Sequence, residues 1–328
     1  MPRAVALFSG GLDSMLAVRF MQEQGFEVHA LYVATPLRCC RQRAAEAAAE
    51  LGVPLAVAAA GDDYLDLIRR PAHGYGKGVN PCVDCRIYMA RIARQWSEEL
   101  GACVVVSGEV LGQREMSQKR LALDRIARES GLEGRLLRPL SARLLAPTTA
   151  EREGLVDRAK LGALSGRGRR EAIALARRLG IRTIPTPSAG CPLVEISFAP
   201  RVRDLIAHRP AATRWEFELL AVGRHVRVDA ETKLVVGRNA GENALLERFL
   251  RRADAGEAAL LSPEGFSGPE VLVVGPATQP ALGLAGALML RYGKGGDGAQ
   301  ARLREARSEK AEIVGIRARA EAKRVAPL

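Results

Sequence analysis

The sequence predicts an α/β protein, with a Rossmann-like parallel sheet followed by a second, smaller α+β domain. In the first part of the chain, apolar runs of strand length alternate with amphipathic stretches, which is the pattern of βαβ units around a buried parallel sheet. The runs lie at 4–8, 28–34, 54–60, 103–107 and 135–140, and the helical stretches at 14–24, 41–51 and 86–100. A ligand is expected beyond the carboxyl ends of the strands, where the loops after residues 8, 34 and 107 converge.

The first domain is predicted to cover residues 1–192, with 141–182 as a helical extension. Its candidate core positions are Leu155, Leu161, Leu164, Ile173, Leu175 and Leu179. Three prolines make 183–192 a rigid connection. In the second domain, 195–328, short strands are predicted at 216–222, 226–229, 234–237 and 271–274, helices near 239–254 and 279–291, and a basic strand or helix at 301–328.

Composition restricts the class of protein. The chain has 328 residues, 48% of them apolar and 26% charged, which is typical of a folded protein. A net charge of +12 favours a polyanionic partner, nucleic acid before an anionic membrane, although arginines on helical faces are also ordinary solvated surface. The start Met-Pro-Arg leads directly into a strand and no uncharged apolar run reaches 18 residues, so we expect a cytoplasmic protein without a membrane span.

Residues 9–14, Ser-Gly-Gly-Leu-Asp-Ser, join the first strand to the first helix. Gly10 and Gly11 let the backbone approach an anion, Ser9 and Ser14 add hydroxyl donors, and the helix start favours negative charge. A carboxylate beside a phosphate needs an intervening cation, so Asp13 is predicted to hold Mg²⁺. The alternative is a plain βα turn in which Asp13 and Ser14 cap the helix.

The loop differs from the Walker type, which requires Gly-Lys followed by Ser or Thr. The two Gly-Lys pairs of the chain, at 76–77 and 293–294, are followed by other residues. This disfavours an ordinary γ-phosphate-transferring NTPase.

Three cysteines form a second candidate site: Cys82 and Cys85 in Asn-Pro-Cys-Val-Asp-Cys, and Cys191 in a Pro-rich segment. A Cys-x-x-Cys pair serves as a redox dithiol, as half of a zinc site, or as two ligands of an iron–sulfur cluster. None of the four histidines shows paired metal spacing, which disfavours a closed zinc site. Three cysteines fit a [4Fe-4S] cluster with one open iron, able to present sulfide, whereas Cys191 could instead be a buried thiol.

The remaining cysteines are interpreted as structural. Cys103 lies in a Val-rich run and is expected in the core, and Cys39 and Cys40 follow the second strand. Six cysteines in a reducing compartment are not expected to form structural disulfides.

A basic Gly-Arg turn carries Arg167, Arg169 and Arg170 around two glycines. Such a turn is able to grip RNA phosphates, and a solvated helix start explains it equally well.

The six-residue loop resembles that of the PP-loop ATP pyrophosphatase superfamily, whose members cleave ATP between the α and β phosphates to adenylate an oxygen. Together with the cysteine motif, the turn at 107–118 and the late Gly-Cys, it is similar to the tRNA thiouridine synthetases, most nearly the 4-thiouridine type. The resemblance covers about residues 1–192. The amino-terminal RNA-binding domain of the 4-thiouridine enzymes has no counterpart before residue 1 of this sequence, which leaves substrate and position open.

The resemblance implies roles for individual residues. Ser9, Gly10, Gly11, Asp13 and Ser14 would bind ATP. Gly108, Gln113 and Gln118 would face the same pocket. Cys82, Cys85 and Cys191 would hold a [4Fe-4S] cluster, as in some members, while other members use a persulfide cysteine.

Residues 235–243, Val-Val-Gly-Arg-Asn-Ala-Gly-Glu-Asn, resemble part of the NFACT RNA-binding domain. This resemblance implies an RNA contact at Arg238.

The resulting hypothesis is a tRNA sulfurtransferase that adenylates a uridine carbonyl, using ATP, Mg²⁺, tRNA and a sulfur donor protein or sulfide. Uracil O4 and O2 are similar oxygens, so the 2-thio and 4-thio products are both open, and the sequence carries no signal for oligomeric state. The alternatives are an ATP-dependent sulfur or amide transferase for a small carbonyl substrate, and an RNA-binding protein with a vestigial loop. Zinc in place of iron would remove the sulfide-carrying role.

Overall fold

The computed structural model describes residues 1–37, 41–186, 190–308 and 310–328. These residues divide into two compact units, Met1–Glu195 and Ile196–Leu328.

The first unit is built on a five-stranded parallel sheet with strand order β3-β2-β1-β4-β5. Its strands are β1 (Arg3–Leu7), β2 (Glu27–Ala34), β3 (Leu55–Ala59), β4 (Val104–Ser107) and β5 (Leu136–Leu137). The chain moves outward from β1 to β3 and then crosses back to β4, beside β1. A topological switch point therefore lies between β1 and β4, where the loops after these strands open a crevice.

Helices cover both faces of this sheet, as parallel strands require. They are α1 (Leu12–Glu23), α2 (Arg41–Leu51), α3 (Asp63–Arg69), α4 (Cys82–Glu99), α5 (Arg120–Glu129), α6 (Thr149–Arg152) and α7 (Arg170–Arg178). Val104, Val105 and Val106 of β4 are fully buried, and alternate residues of the strand pack into separate cores on the two faces. The predicted Rossmann-like α/β fold is confirmed.

Several predictions for the first unit are corrected. Residues 141–182 are mostly turns and single 3-10 turns rather than helix, because glycines and Pro147 interrupt them; only α7 is a helix of more than four residues. Leu155 is exposed, whereas Leu161 is buried as predicted. Strand β5 is two residues long and is followed by Pro139, which has no N–H for the sheet.

Two further corrections concern the elements around the cysteines. Cys103 precedes β4 and is exposed, so it is not a core residue. Helix α4 begins at Cys82 rather than near residue 86, which places both cysteines of the motif in its first turns. Cys39 and Cys40 lie outside the described residues.

The second unit is an antiparallel six-stranded sheet with order β11-β10-β8-β9-β7-β6. Its strands are β6 (Arg224–Arg227), β7 (Lys233–Val236), β8 (Ala258–Glu264), β9 (Val271–Val274), β10 (Gln300–Glu305) and β11 (Ala311–Gly315). Its helices are α8 (Ala199–His208), α9 (Arg214–Leu219), α10 (Ala240–Leu250), α11 (Gln279–Tyr292) and α12 (Ala320–Arg324). The predicted smaller α+β domain is thus present.

The predicted strand at 216–222 is wrong, because helix α9 occupies 214–219. The Thr213 N–H donates to the Glu216 carboxylate at 2.8 Å and the Thr213 hydroxyl accepts from the Glu216 N–H, which together form a capping box. Trp215 and Leu219, four residues apart, are buried on one face of the turn. Four further elements were not predicted from the sequence: β8 and α8 here, and α3 and α5 in the first unit.

Helix α11 is 14 residues long. Within the described part of the chain, no helix is long and apolar enough to cross a membrane.

Candidate active site

The turn between β1 and α1 is held by its two serines. The Ser14 hydroxyl donates to the Gly11 carbonyl at 2.8 Å and accepts from the Ser9 N–H at 3.3 Å, while the Gly11 N–H donates to the Ser9 hydroxyl at 3.4 Å. Gly10 has φ +67°, and a Cβ there would lie 2.7 Å from the Arg43 carbonyl oxygen. Hydrogen bonds within residues 9–14 therefore fix the conformation of the loop, and the loop packs against the start of α2.

Helix α1 begins without a side-chain cap. Its N-cap residue is Gly11, which offers no side-chain acceptor. The alternative that Asp13 and Ser14 cap this helix is therefore wrong. The first-turn amides, which have no intrahelical partners, remain available to an anion, with the positive end of the helix dipole behind them.

The turn after β4 forms the opposite wall. Gln113 Nε2 donates to Asp13 Oδ2 at 3.0 Å, and a Cβ on Gly108 would lie 2.5 Å from the Asp13 backbone. Gln118 is 2% exposed and its Oε1 has no hydrogen-bond partner among the described residues. Glycine at 108 thus allows the close approach of the two turns.

Glu109 anchors this second turn. Its carboxylate is buried, accepts from the Ser107 hydroxyl at 3.1 Å and from Arg138 Nε at 2.9 Å, and lies 3.6 Å from Arg86 Nε. Burial would raise the pKa of the Glu109 carboxyl, but the Arg138 and Arg86 guanidiniums hold it below its ordinary value. Neither Glu109 nor Arg138 was predicted from the sequence as a site residue.

The three arginines of the Gly-Arg turn lie in different environments. Its backbone is tied to the turn after β4, since the Gly166 N–H donates to the Leu111 carbonyl at 2.7 Å. Arg169 lines the cavity beside the phosphate loop and donates to the Pro185 carbonyl at 2.9 Å. Arg167 is exposed and lies 3.0 Å from Glu115, and Arg170 is exposed at the start of α7.

These elements enclose a cavity of about 240 Å³ at the switch point. All predicted nucleotide residues except Gly10, which packs against the start of α2, line this cavity: Ser9, Gly11, Asp13, Ser14, Gly108, Gln113 and Gln118. We call it the nucleotide cavity.

A second cavity, of about 90 Å³, is lined by Cys82, Cys85 and Cys191. We call it the thiol cavity. The structure thus brings together three cysteines that are 109 positions apart at their extremes, and all three are half-buried.

Neighbouring polar groups contact two of the sulfurs. The Asn80 amide donates to Cys82 Sγ at 3.2 Å, and the Tyr64 hydroxyl lies 3.1 Å from Cys85 Sγ. Burial and the Cys85 sulfur raise the pKa of the Tyr64 phenol well above its ordinary value, so the hydroxyl stays protonated. Hydrogen bonds to sulfur of this kind are used to tune thiolate and cluster sites.

The segment that carries Cys191 is fastened to the loop before α4. The Val79 N–H donates to the Leu193 carbonyl at 3.0 Å, and a Cβ on Gly78 would lie 2.4 Å from the same oxygen. Asp84, inside the cysteine motif, accepts from the Ala72 N–H at 3.0 Å and so holds the loop to α4. The motif's acidic residue therefore has a structural role.

The three thiols line one cavity but are not arranged as a metal site. Among the described residues, no group of three or more His, Cys, Asp or Glu side chains is placed to hold a metal ion.

The two cavities are adjacent. They share four lining residues: Arg43, Arg86, Met89 and Arg114. None of the four was predicted from the sequence as a site residue. Arg86 follows the cysteine motif directly and could have been found from that position, whereas no local signal marks Arg43 or Arg114.

In the second unit, the segment 235–243 is the turn from β7 into α10. Asn239 Oδ1 accepts from the Glu242 N–H at 3.0 Å and caps the helix. Arg238 Nε donates to the Glu242 carboxylate at 2.8 Å, and this bond raises the pKa of Arg238. Arg238 is exposed but paired.

Comparison with known families agrees with the two resemblances. Residues 2–142 match the family described as thiamine biosynthesis protein (ThiI). Residues 223–324 match the NFACT protein RNA binding domain. The resemblance to a PP-loop protein with an NFACT-like carboxyl-terminal region is thereby confirmed.

Individual relatives match parts of the chain. The tRNA-specific 2-thiouridylase MnmA of Parvibaculum lavamentivorans is 29% identical over 263 residues, covering 73% of this chain and 58% of the relative. MnmA of Acidithiobacillus ferrooxidans is 31% identical over 131 residues, covering 35% of this chain and 36% of the relative. The chain therefore spans 36% to 58% of the length of these curated relatives.

One solved structure is a 4-thiouridine synthetase–RNA complex with bound ATP. It is 18% identical, with a TM-score of 0.39 over 67% of this chain and 53% of that one. This likeness is too distant to bear on the substrate.

Proposed function

We propose that this chain, which shares its PP-loop with the tRNA thiolases, is an ATP-dependent sulfurtransferase that replaces a carbonyl oxygen of a tRNA uridine. The observation that carries the proposal is that the two cavities are adjacent and share four lining residues, Arg43, Arg86, Met89 and Arg114. An activated oxygen on one side and a sulfur on the other would meet there.

The first step is adenylation. The uracil oxygen attacks the α-phosphate of ATP, forming an oxygen–phosphorus bond, and the bond to the β-phosphate breaks to release pyrophosphate. The amides at the start of α1 and the serine hydroxyls would stabilise the phosphate charge, and Asp13 would bind the Mg²⁺. Gln113 holds the Asp13 carboxylate in this orientation through its 3.0 Å hydrogen bond.

The second step is displacement. Sulfide attacks the uracil carbon that carries the adenylated oxygen. A carbon–sulfur bond forms, and the carbon–oxygen bond breaks so that AMP leaves with the oxygen. Sulfide supplies both electrons of the new bond, so the step needs no oxidant or reductant. Because O4 and O2 of uracil undergo the same chemistry, the proposal covers both the 4-thio and the 2-thio product.

Cys82, Cys85 and Cys191 are the residues that would hold a [4Fe-4S] cluster. When bound by three cysteines, such a cluster has one iron free to accept sulfide and present it as a nucleophile. The Asn80 amide and the Tyr64 hydroxyl would donate to the sulfur ligands and steady them.

The tRNA contact is assigned to both units. The second unit carries 21 Lys and Arg against 16 Asp and Glu, and the first carries 28 against 21, so the basic charge is spread over the chain. Arg238 in the second unit and Arg167 in the first are exposed and paired with Glu242 and Glu115, and Arg170 is exposed. These three are the cations that would contact phosphates. The target base has to leave its stack to reach the nucleotide cavity.

The cluster is tested by anaerobic purification with iron and acid-labile sulfide assays. We expect about four irons and four sulfides per chain, lost in Cys82→Ala, Cys85→Ala and Cys191→Ala. Cys103→Ala is the matched control, because this thiol is exposed and lies outside the cavity. A colourless protein with zinc or no metal in every preparation would overturn the cluster and favour a persulfide route.

The tRNA assignment is tested by the nucleotide product. AMP and pyrophosphate should form only when tRNA is present, and tRNA binding should weaken steeply with salt. ATP turnover on a small carbonyl substrate without tRNA stimulation would favour the small-molecule transferase. RNA binding without any pyrophosphate release would favour a vestigial loop.

A further inference from the structure

The wall between the two cavities contains one arginine, Arg43, that has no ion-pair partner among the described residues. Arg43 lies in the first turn of α2 and lines both the nucleotide cavity and the thiol cavity. No ion pair or hydrogen bond joins its side chain to another residue of the described chain, and its Nε is buried without a partner there. A buried guanidinium donor of this kind is costly unless a ligand accepts from it.

The position of Arg43 opposes the local helix electrostatics. A cation in the first turn of a helix faces the positive end of the dipole, which is unfavourable by itself. Helix α2 has no acidic residue in its first turn to compensate. An anion in the adjoining cavity would relieve both costs.

The other shared arginines are placed differently. Arg86 lies 3.6 Å from the buried Glu109 carboxylate, so its charge is partly neutralised inside the protein. Arg114 is exposed. Arg43 is therefore the shared cation best placed to bind a ligand anion inside the junction.

We propose that Arg43 binds the α-phosphate, first in ATP and then in the adenylated RNA. The α-phosphate is the group that must lie nearest the sulfur, because AMP departs from the carbon that sulfide attacks. The β and γ phosphates would lie deeper, against the amides of α1. This inference rests on the proposed function for the identity of the ligand, but its test requires nucleotide binding only.

The packing of α2 supports this geometry. A Cβ on Gly10 would lie 2.7 Å from the Arg43 carbonyl and 2.8 Å from the Ala44 nitrogen, so the phosphate loop fixes the backbone of this turn. The Arg43 side chain is thus carried on a backbone with little freedom to move away from the phosphates. Truncating the side chain leaves that backbone contact intact.

The test measures calorimetric binding of AMP, pyrophosphate and adenosine to the wild type and to Arg43→Ala, Arg43→Lys and Arg41→Ala. Arg41 begins the same helix and is exposed, so its variant removes the same charge outside the cavities. We expect AMP affinity to fall at least about tenfold in Arg43→Ala, less in Arg43→Lys, and not in Arg41→Ala. Adenosine affinity should stay unchanged, and pyrophosphate affinity should fall less than AMP affinity.

Equal AMP affinity in Arg43→Ala and the wild type would overturn the proposal, as would a parallel loss of adenosine binding. Arg43→Lys guards against misfolding, since it keeps the charge and the aliphatic stem. If the wild type binds AMP but modifies no tRNA, the sulfurtransferase proposal fails while the role of Arg43 is still decided by these affinities. If the wild type binds no nucleotide, both fail.

Discussion

Gln113 and Asp13 are 100 positions apart in the chain, and a hydrogen bond of 3.0 Å joins their side chains across the switch point of the sheet. The bond links the loop after β1 to the turn after β4. Gln113, on the β4 side of the nucleotide cavity, thereby orients the Asp13 carboxylate on the β1 side. The Gln113 amide occupies Asp13 Oδ2. The remaining oxygen is available to a cation.

Asp13→Asn should lower the rate of ATP-dependent AMP formation at least about a hundredfold, because a metal-bound carboxylate and its charge are lost together. Gln113→Ala should have a smaller effect, since it only frees the orientation of the carboxylate. The rates are measured over a range of Mg²⁺ concentrations. Asp66→Asn, at an exposed carboxylate, is the control; a wild-type rate for Asp13→Asn at limiting Mg²⁺ would contradict the assignment.

Gly10→Ala should abolish ATP binding. The added Cβ would lie within 2.8 Å of the α2 backbone at a residue whose φ is +67°. Gly180→Ala is the matched control, because Gly180 has φ +70° but nothing lies within 4 Å of its Cβ position. Both variants place an alanine at a positive φ, so the difference in their ATP affinities reports the contact between residue 10 and the α2 backbone. Similar affinities in the two variants would show that the loop does not depend on α2.

Glu109→Gln should lower the free energy of unfolding of the first unit by roughly 3–5 kcal/mol, because the buried Arg138 loses its anion. Glu115→Gln, which removes an exposed partner of Arg167, should change it by less than about 1 kcal/mol. Chemical denaturation in a Trp215→Phe background, followed by Trp96 fluorescence, reports on this unit. Equal stability losses would mean that the Glu109 pair is not the anchor of the turn.

Lys233 in β7 is buried, and burial lowers its pKa to about 8; Asp204 opposes this shift and Arg227 adds to it. Below pH 8 Lys233 is protonated in both states, but its buried site in the folded protein binds the proton more weakly than the unfolded chain does. This costs stability, up to about 3 kcal/mol. Between pH 8 and the ordinary lysine pKa the unfolded state binds the extra proton, so stability should rise with pH.

Lys233→Met should therefore be more stable than the wild type at pH 7, with the advantage shrinking as the pH rises above 8. Denaturation is followed by Trp215 fluorescence in a Trp96→Phe background, which leaves one tryptophan in the chain. Taking the difference between the two proteins removes the contribution of other groups that titrate in this range. A pH-independent difference would contradict the prediction.

The amino-terminal fold and its phosphate loop were predictable because their signals are local. Residues 9–14 are contiguous, and the apolar runs of β1, β2 and β4 are bounded by turns. Arg43 was not predictable, because its role arises from the packing of α2 on Gly10 rather than from spacing in the sequence. The sequence grouped Cys191 with Cys82 and Cys85 as a candidate site, but only the fold brings the three thiols to one cavity.

The errors have physical causes too. Helix α9 is six residues long, and a short apolar run that contains Trp215 and Phe217 satisfies a strand pattern as well as a helical one. Its capping box, Thr213 with Glu216, was the signal that could have decided the choice. In 141–182, the leucine spacing suggested helix, but the glycines ended each turn before it could propagate.

The central claim is tested most directly by incubating the anaerobically purified chain with tRNA, ATP, Mg²⁺ and sulfide, and analysing the digested nucleosides by mass spectrometry. We predict a thiouridine that appears together with equal amounts of AMP and pyrophosphate, and that is absent with Asp13→Asn and with Cys191→Ala but present with Cys103→Ala. Pyrophosphate release without any thionucleoside, or a thionucleoside formed equally well by Asp13→Asn, would contradict the account.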